Sequence, residues 1–130
     1  MAYIDYYEGA FGDAIIIRTC SKSWLISLKE TIHKLIDGNI ERMDICKIAD
    51  TKCSETFRKL EVILVEKPTV PSITLDDDAD QICVHWSQDR EEILTLLGLV
   101  DGLLFSGSYG HQYLAHEEDG CSIELSFNEC

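Results

Sequence analysis

Strand-like patterns open and close the chain. Residues 3–7 and 14–20 are runs of β-branched and aromatic side chains separated by two glycines, which predicts an opening β-hairpin. Near the other end, residues 109–115 and 122–127 predict a closing hairpin, because apolar and polar residues alternate cleanly in the second run.

Two helices are predicted between these hairpins. The apolar residues within 24–36 fall inside an arc of about 120° at helical spacing, which indicates an amphipathic helix. Ser21 or Ser23 can cap its start, and Gly38 supplies its end.

The second helix is predicted to start after Ser87, which precedes a first turn rich in acids. Its apolar residues from Ile93 to Leu104 would cover about 220° of the helix surface, more than one contact with a sheet requires. Either the helix ends near Asp101 and Gly102, which is the simpler interpretation, or it packs on two sides.

The middle of the chain reads as further strands. Residues 40–48 and 57–66 predict two strands joined by a polar turn at 50–55, and residues 73–75 and 81–86 predict two more around an acidic turn. Because strands and helices do not alternate regularly, we predict an α+β fold. It would form a mainly antiparallel sheet with two principal helices packed on one face, in a single globular domain spanning residues 1–130.

Composition changes what this domain is expected to bind. Acids outnumber bases by 24 to 11 among 130 residues, for a formal net charge of −13. That balance argues against general electrostatic binding to nucleic acid or to an anionic membrane. No apolar run approaches the roughly 20 residues that span a bilayer, and Asp5 and Glu8 lie where a secretory signal would be basic and then apolar. We therefore expect a soluble, cytoplasmic protein.

The negative charge is concentrated late in the chain. Residues 1–75 hold 11 acids and 10 bases, whereas residues 76–130 hold 13 acids and a single base, Arg90. These acids are clustered beside apolar segments. Either these clusters only keep the protein soluble, or they form a negative face that steers a basic partner into contact.

Motifs that would carry chemistry are incomplete. None of the six cysteines has the two-residue spacing of a zinc knuckle, so we expect reduced, structural thiols. Asp76, Asp78 and Asp80 match the start of a calcium loop, but Gln81 stands where that loop needs glycine. We predict no metal, no cofactor and no catalytic residues.

The segment GSYGHQYLAH, residues 107–116, is the densest polar and aromatic cluster in the chain. It is either a glycine-rich hinge into the closing hairpin or a binding element in which His111 and Tyr113 supply donors and acceptors. Asp101 would be a candidate acid or base only if the second helix continued past it, because burial would then raise its pKa.

An acidic C-terminal half, the absence of an identifiable active site and the helix SWLISLKETIHKLIDG, residues 23–38 after an opening hairpin, together resemble the small immunity proteins of bacterial contact-dependent and polymorphic toxin systems. The resemblance implies a protein that binds one cognate toxin, often a basic nuclease, and blocks its active site or substrate groove in the producing cell.

We therefore predict a non-enzymatic, immunity-type inhibitor that binds a basic protein partner as a monomer or homodimer. Alternatives are a small ligand-binding domain or enzyme with a pocket near His111, and a homodimeric structural subunit. The predicted partner-binding residues are Asp76, Asp77, Asp78, Asp80, Asp89, Glu91, Glu92, Tyr109, His111, Tyr113, Glu117, Glu118 and Asp119.

Overall fold

A computed structural model describes residues 1–9, 12–67, 72–78, 81–106, 110–116 and 121–127. The elements in chain order are β1 (Ala2–Gly9), β2 (Gly12–Thr19), α1 (Lys22–Ile36), β3 (Arg42–Asp44), a 3-10 helix (Ile45–Lys47), β4 (Thr51–Cys53), β5 (Phe57–Leu64), β6 (Ile73–Asp78), β7 (Gln81–Gln88), α2 (Arg90–Ser106), β8 (Gly110–His116) and β9 (Ser122–Phe127).

The strands form two mixed sheets. One is five-stranded, in the order β4-β1-β2-β9-β8, and the other is four-stranded, in the order β3-β5-β7-β6. Sequence neighbours such as β1 and β2 pair antiparallel, whereas β1–β4, β2–β9 and β5–β7 pair parallel. The predicted α+β class is confirmed.

One hydrophobic core joins both sheets to both helices. Alternate residues of the five-stranded sheet, such as Ile17 and Leu125, face the same buried cluster as Val62 and Trp86 of the four-stranded sheet. The residues that alternate with these core residues along each strand point away from the core, since successive side chains of a strand lie on opposite faces. Each sheet therefore has an outer face directed away from the shared core.

Helix α1 follows its predicted pattern. The Ser21 hydroxyl accepts a hydrogen bond from the Trp24 backbone N–H at 3.2 Å, and Gly38 adopts a positive φ of 77° just beyond the helix. The Trp24 indole N–H also donates to the Thr51 hydroxyl at 2.8 Å, which ties the start of α1 to β4.

Helix α2 differs from its prediction at both ends. Asp89, not Ser87, caps it: the Glu92 N–H donates to the Asp89 carboxylate at 2.8 Å, and the Asp89 N–H donates to the Glu92 carboxylate at 3.1 Å. This reciprocal arrangement is a capping box. The helix continues past Asp101, whose carboxylate pairs with Lys29 of α1 at 2.7 Å.

The apolar arc of α2 is wide because the helix runs on to Ser106, the alternative to an end near Asp101 and Gly102. Leu94 and Phe105 remain exposed on it. Neither described helix combines the length and the apolar composition that crossing a bilayer requires.

Residues 40–55 fold differently from the predicted strand and turn. Within the predicted strand 40–48, Arg42–Asp44 form β3, and the Asp44 carboxylate then accepts from the Cys46 N–H at 3.0 Å and caps the 3-10 helix. The predicted turn contains β4, a three-residue edge strand held by backbone bonds from Ala2 to Asp50 and from Ser54 to Ile4.

The acidic stretch that was predicted to be a turn is strand over half its length. Asp76, Asp77 and Asp78 belong to β6 and pair with Cys83, Ile82 and Gln81 of β7. The opening and closing hairpins are confirmed as β1–β2 and β8–β9.

Candidate interaction surface

The outer face of the five-stranded sheet carries exposed tyrosines in register. One row across the strands runs Tyr3, Arg18, Ser126 and His111, and a second runs Asp5, Ile16, Glu124 and Tyr113. Tyr7 lies in a third row beside Ala14. We call this surface the tyrosine face and define it by Tyr3, Asp5, Tyr7, Ile16, Arg18, His111, Tyr113 and Glu124.

Three aromatic side chains stand out from this face toward solvent. Tyr3, Tyr7 and Tyr113 are 49%, 42% and 58% exposed. Because adjacent strands lie about 4.8 Å apart, Tyr113 on β8 and Asp5 on β1 are separated by roughly 14 Å across the sheet. The tyrosines therefore flank a flat surface and do not form one packed cluster.

Polar contacts hold the tyrosine face in a fixed arrangement. The Arg18 guanidinium donates to the Tyr7 hydroxyl at 2.8 Å, lies 5.8 Å from the centre of that ring and pairs with Asp5 at 3.6 Å. At the other edge, the rings of His111 and Tyr113 meet edge to face with centroids 6.5 Å apart. Such an arrangement reduces the entropy that binding a partner would cost.

Sequence reasoning found His111 and Tyr113 but missed Tyr3, Tyr7 and Arg18. The signal was present in the opening hairpin, where Tyr3 and Tyr7 lie on the strand face opposite Ile4. That this face also includes residues of β8 could not be predicted, because it depends on the parallel pairing of β2 with β9.

The predicted acidic residues do not all belong to this face. Asp76 lies on the outer face of the four-stranded sheet, where its carboxylate contacts His85 Nε2 at 3.1 Å. Asp77 and Asp78 follow it in β6. The predicted residues Asp80, Tyr109, Glu117, Glu118 and Asp119 lie outside the described residues.

A second predicted cluster lies at the start of α2. Asp89 and Glu92 form the capping box, and Glu91 is exposed in the same turn. Asp89 follows the last residue of β7, whereas Asp76 pairs with Cys83, near the first residue of that strand. At about 3.3 Å per residue, roughly 17–20 Å separates these two clusters, so they are two distinct acidic surfaces.

The start of α2 lies next to β8. A cavity of about 250 Å³ is lined by Ser72, Gln88, Glu92, Thr95, Leu96, Leu114 and Ala115. Leu114 and Ala115 directly follow Tyr113 in β8 and line this cavity, whereas Tyr113 is exposed to solvent. His111 does not line this cavity.

The outer face of the four-stranded sheet carries a charge cluster around Glu61. Its carboxylate contacts Lys59 at 3.1 Å, Arg42 at 3.2 Å and His85 Nδ1 at 3.3 Å. Burial by itself raises the pKa of Glu61, but the hydrogen bonds from Lys59 and His85 and the charges of Lys59 and Arg42 outweigh it. The pKa of Glu61 therefore lies below the ordinary glutamate value.

Among the described residues, the sequence candidates for a metal site and for a buried acid find no support. Within the described ranges, no group of three or more His, Cys, Asp or Glu side chains is placed to hold a metal ion. Asp101 is half-exposed in its pair with Lys29 and is not a buried acid. Cys20 is disulfide-bonded, contrary to the expectation of reduced thiols throughout, whereas Cys46, Cys53, Cys83 and Cys121 form no disulfide.

Comparison with protein-family models, with curated proteins and with solved structures gives no match for this chain. The chemistry of its own surfaces is therefore the basis for assigning a function.

Proposed function

We propose that this protein is a non-enzymatic, immunity-type inhibitor that binds a basic toxin through the tyrosine face. The observation that carries the proposal is the exposure of Tyr3, Tyr7 and Tyr113 on one registered sheet face. Tyrosine supplies large, rigid contact area and a hydroxyl at low entropic cost, and it is enriched among residues that dominate interface energy.

The size of the tyrosine face requires help from its surroundings. Four strands at about 4.8 Å and four residues at about 3.4 Å give a projected area of roughly 260 Å². A standard interface buries about 800 Å² per partner. We therefore infer that residues beyond the tyrosine face, such as those at the acidic start of α2 on the far side of β8, complete the contact.

The charge of the chain supports a basic partner. A net charge of −13 accelerates encounter with a positively charged protein and opposes contact with acidic ones. Acting against a toxin made in the same bacterial cell, such an inhibitor would work in the cytoplasm.

A tagged pull-down from the native lysate at low salt tests the proposal. We expect one stoichiometric basic protein to elute in a high-salt wash. Substituting Tyr7→Ala and Tyr113→Ala should each weaken binding about 30-fold, the cost of losing a residue worth about 2 kcal/mol. Phe105→Ala removes a still more exposed aromatic side chain from α2 and should leave binding unchanged.

Inhibition is measured separately on the recovered partner. Nuclease activity is the first activity to measure. The activity of the partner should fall to baseline at one equivalent of the wild-type protein, and it should persist at one equivalent of the variant that carries both Tyr7→Ala and Tyr113→Ala. Equal binding by the tyrosine variants would refute the tyrosine face as the contact. Binding that leaves the partner fully active would refute inhibition.

The cavity beside Glu92 supports a second candidate, a small-ligand site. Its polar lining from Gln88, Glu92 and Thr95 can hydrogen-bond a ligand, but a volume of about 250 Å³ is below the roughly 300–1,000 Å³ of typical ligand pockets. We therefore rank it second. Thr95→Trp would fill this cavity. If that variant binds the protein partner as the wild type does, the partner does not use the cavity, and the two candidates are separated.

The exposed apolar residues of α2 support a third candidate, a homodimer. Phe105 is 94% exposed and Leu94 lies on the same helix, so a second copy would bury apolar surface there. Equilibrium sedimentation at micromolar concentration tests it, and a monomer there would refute it.

A further inference from the structure

Cys46 and Cys53 bring two free thiols together between the sheets. Cys46 lies in the 3-10 helix that continues β3 of the four-stranded sheet, and Cys53 ends β4 of the five-stranded sheet. Their sulfur atoms are 2.6 Å apart. Both residues are half-buried, so a small molecule can reach them.

The backbone around each thiol is fixed independently of the other. The Asp44 carboxylate accepts from the Cys46 N–H at 3.0 Å and from the Leu60 N–H at 3.2 Å, which fixes the 3-10 helix to β5. On the other side, the Ser54 N–H donates to the Ile4 carbonyl at 3.0 Å, which fixes the end of β4 to β1. The two sulfurs are therefore presented to each other by rigid elements.

We propose that Cys46 and Cys53 form a reversible dithiol–disulfide site that exchanges with small-molecule disulfides of the glutathione type and links the two sheets covalently when oxidised.

The exchange balances with oxidised glutathione as the oxidant. The Cys53 thiolate attacks one glutathione sulfur, the glutathione disulfide breaks, and one glutathione thiolate leaves. Cys46 then loses its proton to solvent, and its thiolate attacks the Cys53 sulfur of the mixed disulfide. The second glutathione leaves, so one disulfide is broken, one is formed, and two glutathione thiols are produced.

The electrostatics assign Cys53 as the attacking thiol. Hydrogen bonding by Cys46 lowers the pKa of Cys53, outweighing burial and the negative charges of Asp44 and Asp5, which raise it. The same bond and burial raise the pKa of Cys46. The thiolate, which is the nucleophile in exchange, therefore forms first at Cys53.

The two other described cysteines that form no disulfide provide a contrast. Cys83 and Cys121 are buried, and a buried structural thiol reacts slowly. Six residues separate Cys46 from Cys53. This spacing belongs to no common redox motif, so the pair could not be predicted from spacing alone.

Peptide mapping of the whole protein tests the proposal directly. Trypsin cleaves after Arg42, Lys47, Lys52 and Arg58, so residues 43–47 and 53–58 are released as separate peptides with one cysteine each. After treatment with oxidised glutathione and alkylation of remaining thiols, these two peptides should be recovered disulfide-linked. Dithiothreitol should separate them.

Two variants identify the chemistry. Cys46→Ser removes the resolving thiol, so Cys53 should retain one glutathione as a mixed disulfide. Cys83→Ser is the matched control and should form the linked peptides as the wild-type protein does. Recovery of the two wild-type peptides unlinked, whether alkylated or carrying glutathione, would overturn the proposal, as would either peptide linked to a different cysteine.

Discussion

Replacing Glu61 by glutamine tests whether the charge cluster on the four-stranded sheet stabilises the fold. The carboxylate is only 4% exposed, whereas Arg42, Lys59 and His85 are 58%, 36% and 27% exposed. Glutamine keeps the shape of the side chain and removes its charge. The substitution therefore deletes three charge-assisted contacts without creating a cavity.

The expected loss follows from the exposure of the partners. A hydrogen bond to a charged group contributes about 1.5–3 kcal/mol when both groups are buried, and an exposed ion pair contributes about 0.2–1 kcal/mol. Because all three partners retain access to water, we place each contact near the lower range. The free energy of unfolding of Glu61→Gln should fall by about 1–2 kcal/mol at neutral pH.

The sign of the pH dependence follows from the direction of the pKa shift. The pKa of Glu61 in the folded state lies below its unfolded value of 4.5. Its stabilisation is therefore complete above that unfolded value and is lost as the pH falls through the folded pKa. The difference between wild type and variant should close in acid, where both side chains are neutral.

Urea denaturation from neutral pH into acid measures the difference in the free energy of unfolding between wild type and Glu61→Gln at each pH. Asp76→Asn is the matched control, because Asp76 also contacts His85 but is 71% exposed; its cost should stay below about 0.5 kcal/mol. A Glu61→Gln difference that stays constant from neutral pH into acid, or a variant more stable than wild type at neutral pH, would refute the reasoning.

Three further substitutions test local features of the helices. Asp89→Ala removes the capping side chain of α2 and should lower the free energy of unfolding by about 1 kcal/mol in urea, with Asp89→Ser restoring most of it. Gly38→Ala should cost about 1 kcal/mol by thermal unfolding, because the position has a φ of 77° and no atom lies within 4 Å of an added Cβ; an unchanged midpoint would contradict this conformational cause. Asp101→Asn should change stability by less than about 0.5 kcal/mol, since its pair with Lys29 is half-exposed; a larger loss would mean that α1 and α2 depend on this pair.

Local signals predicted the elements that local physics determines. The opening hairpin and α1 depend on alternation, a serine cap and a nearby glycine, and all were readable from residues 3–38. The prediction failed where a distant contact decides. Thr51–Cys53 became a strand because β1 pairs with it, and the apolar residues of α2 beyond Asp101, such as Leu103, are buried in the shared core.

The candidate surface was predictable only in part for the same reason. His111 and Tyr113 were visible as a local cluster, but their alignment with Arg18 requires the register of three strands. The proximity of Cys46 and Cys53 was equally hidden, since it depends on how β3 and β4 join different sheets.

The parallel pairing of β2 with β9 also determines how the chain must fold. It places Ile17 beside Leu125, more than one hundred residues away. Contacts between residues so far apart in sequence make folding slower. Until β9 arrives, β2 presents an unpaired edge that contains Ile15, Ile16 and Ile17, a stretch with high β-propensity and no charge. Such an edge is a template for intermolecular pairing. The lifetime of the opening hairpin without β9 therefore sets the risk of aggregation during folding.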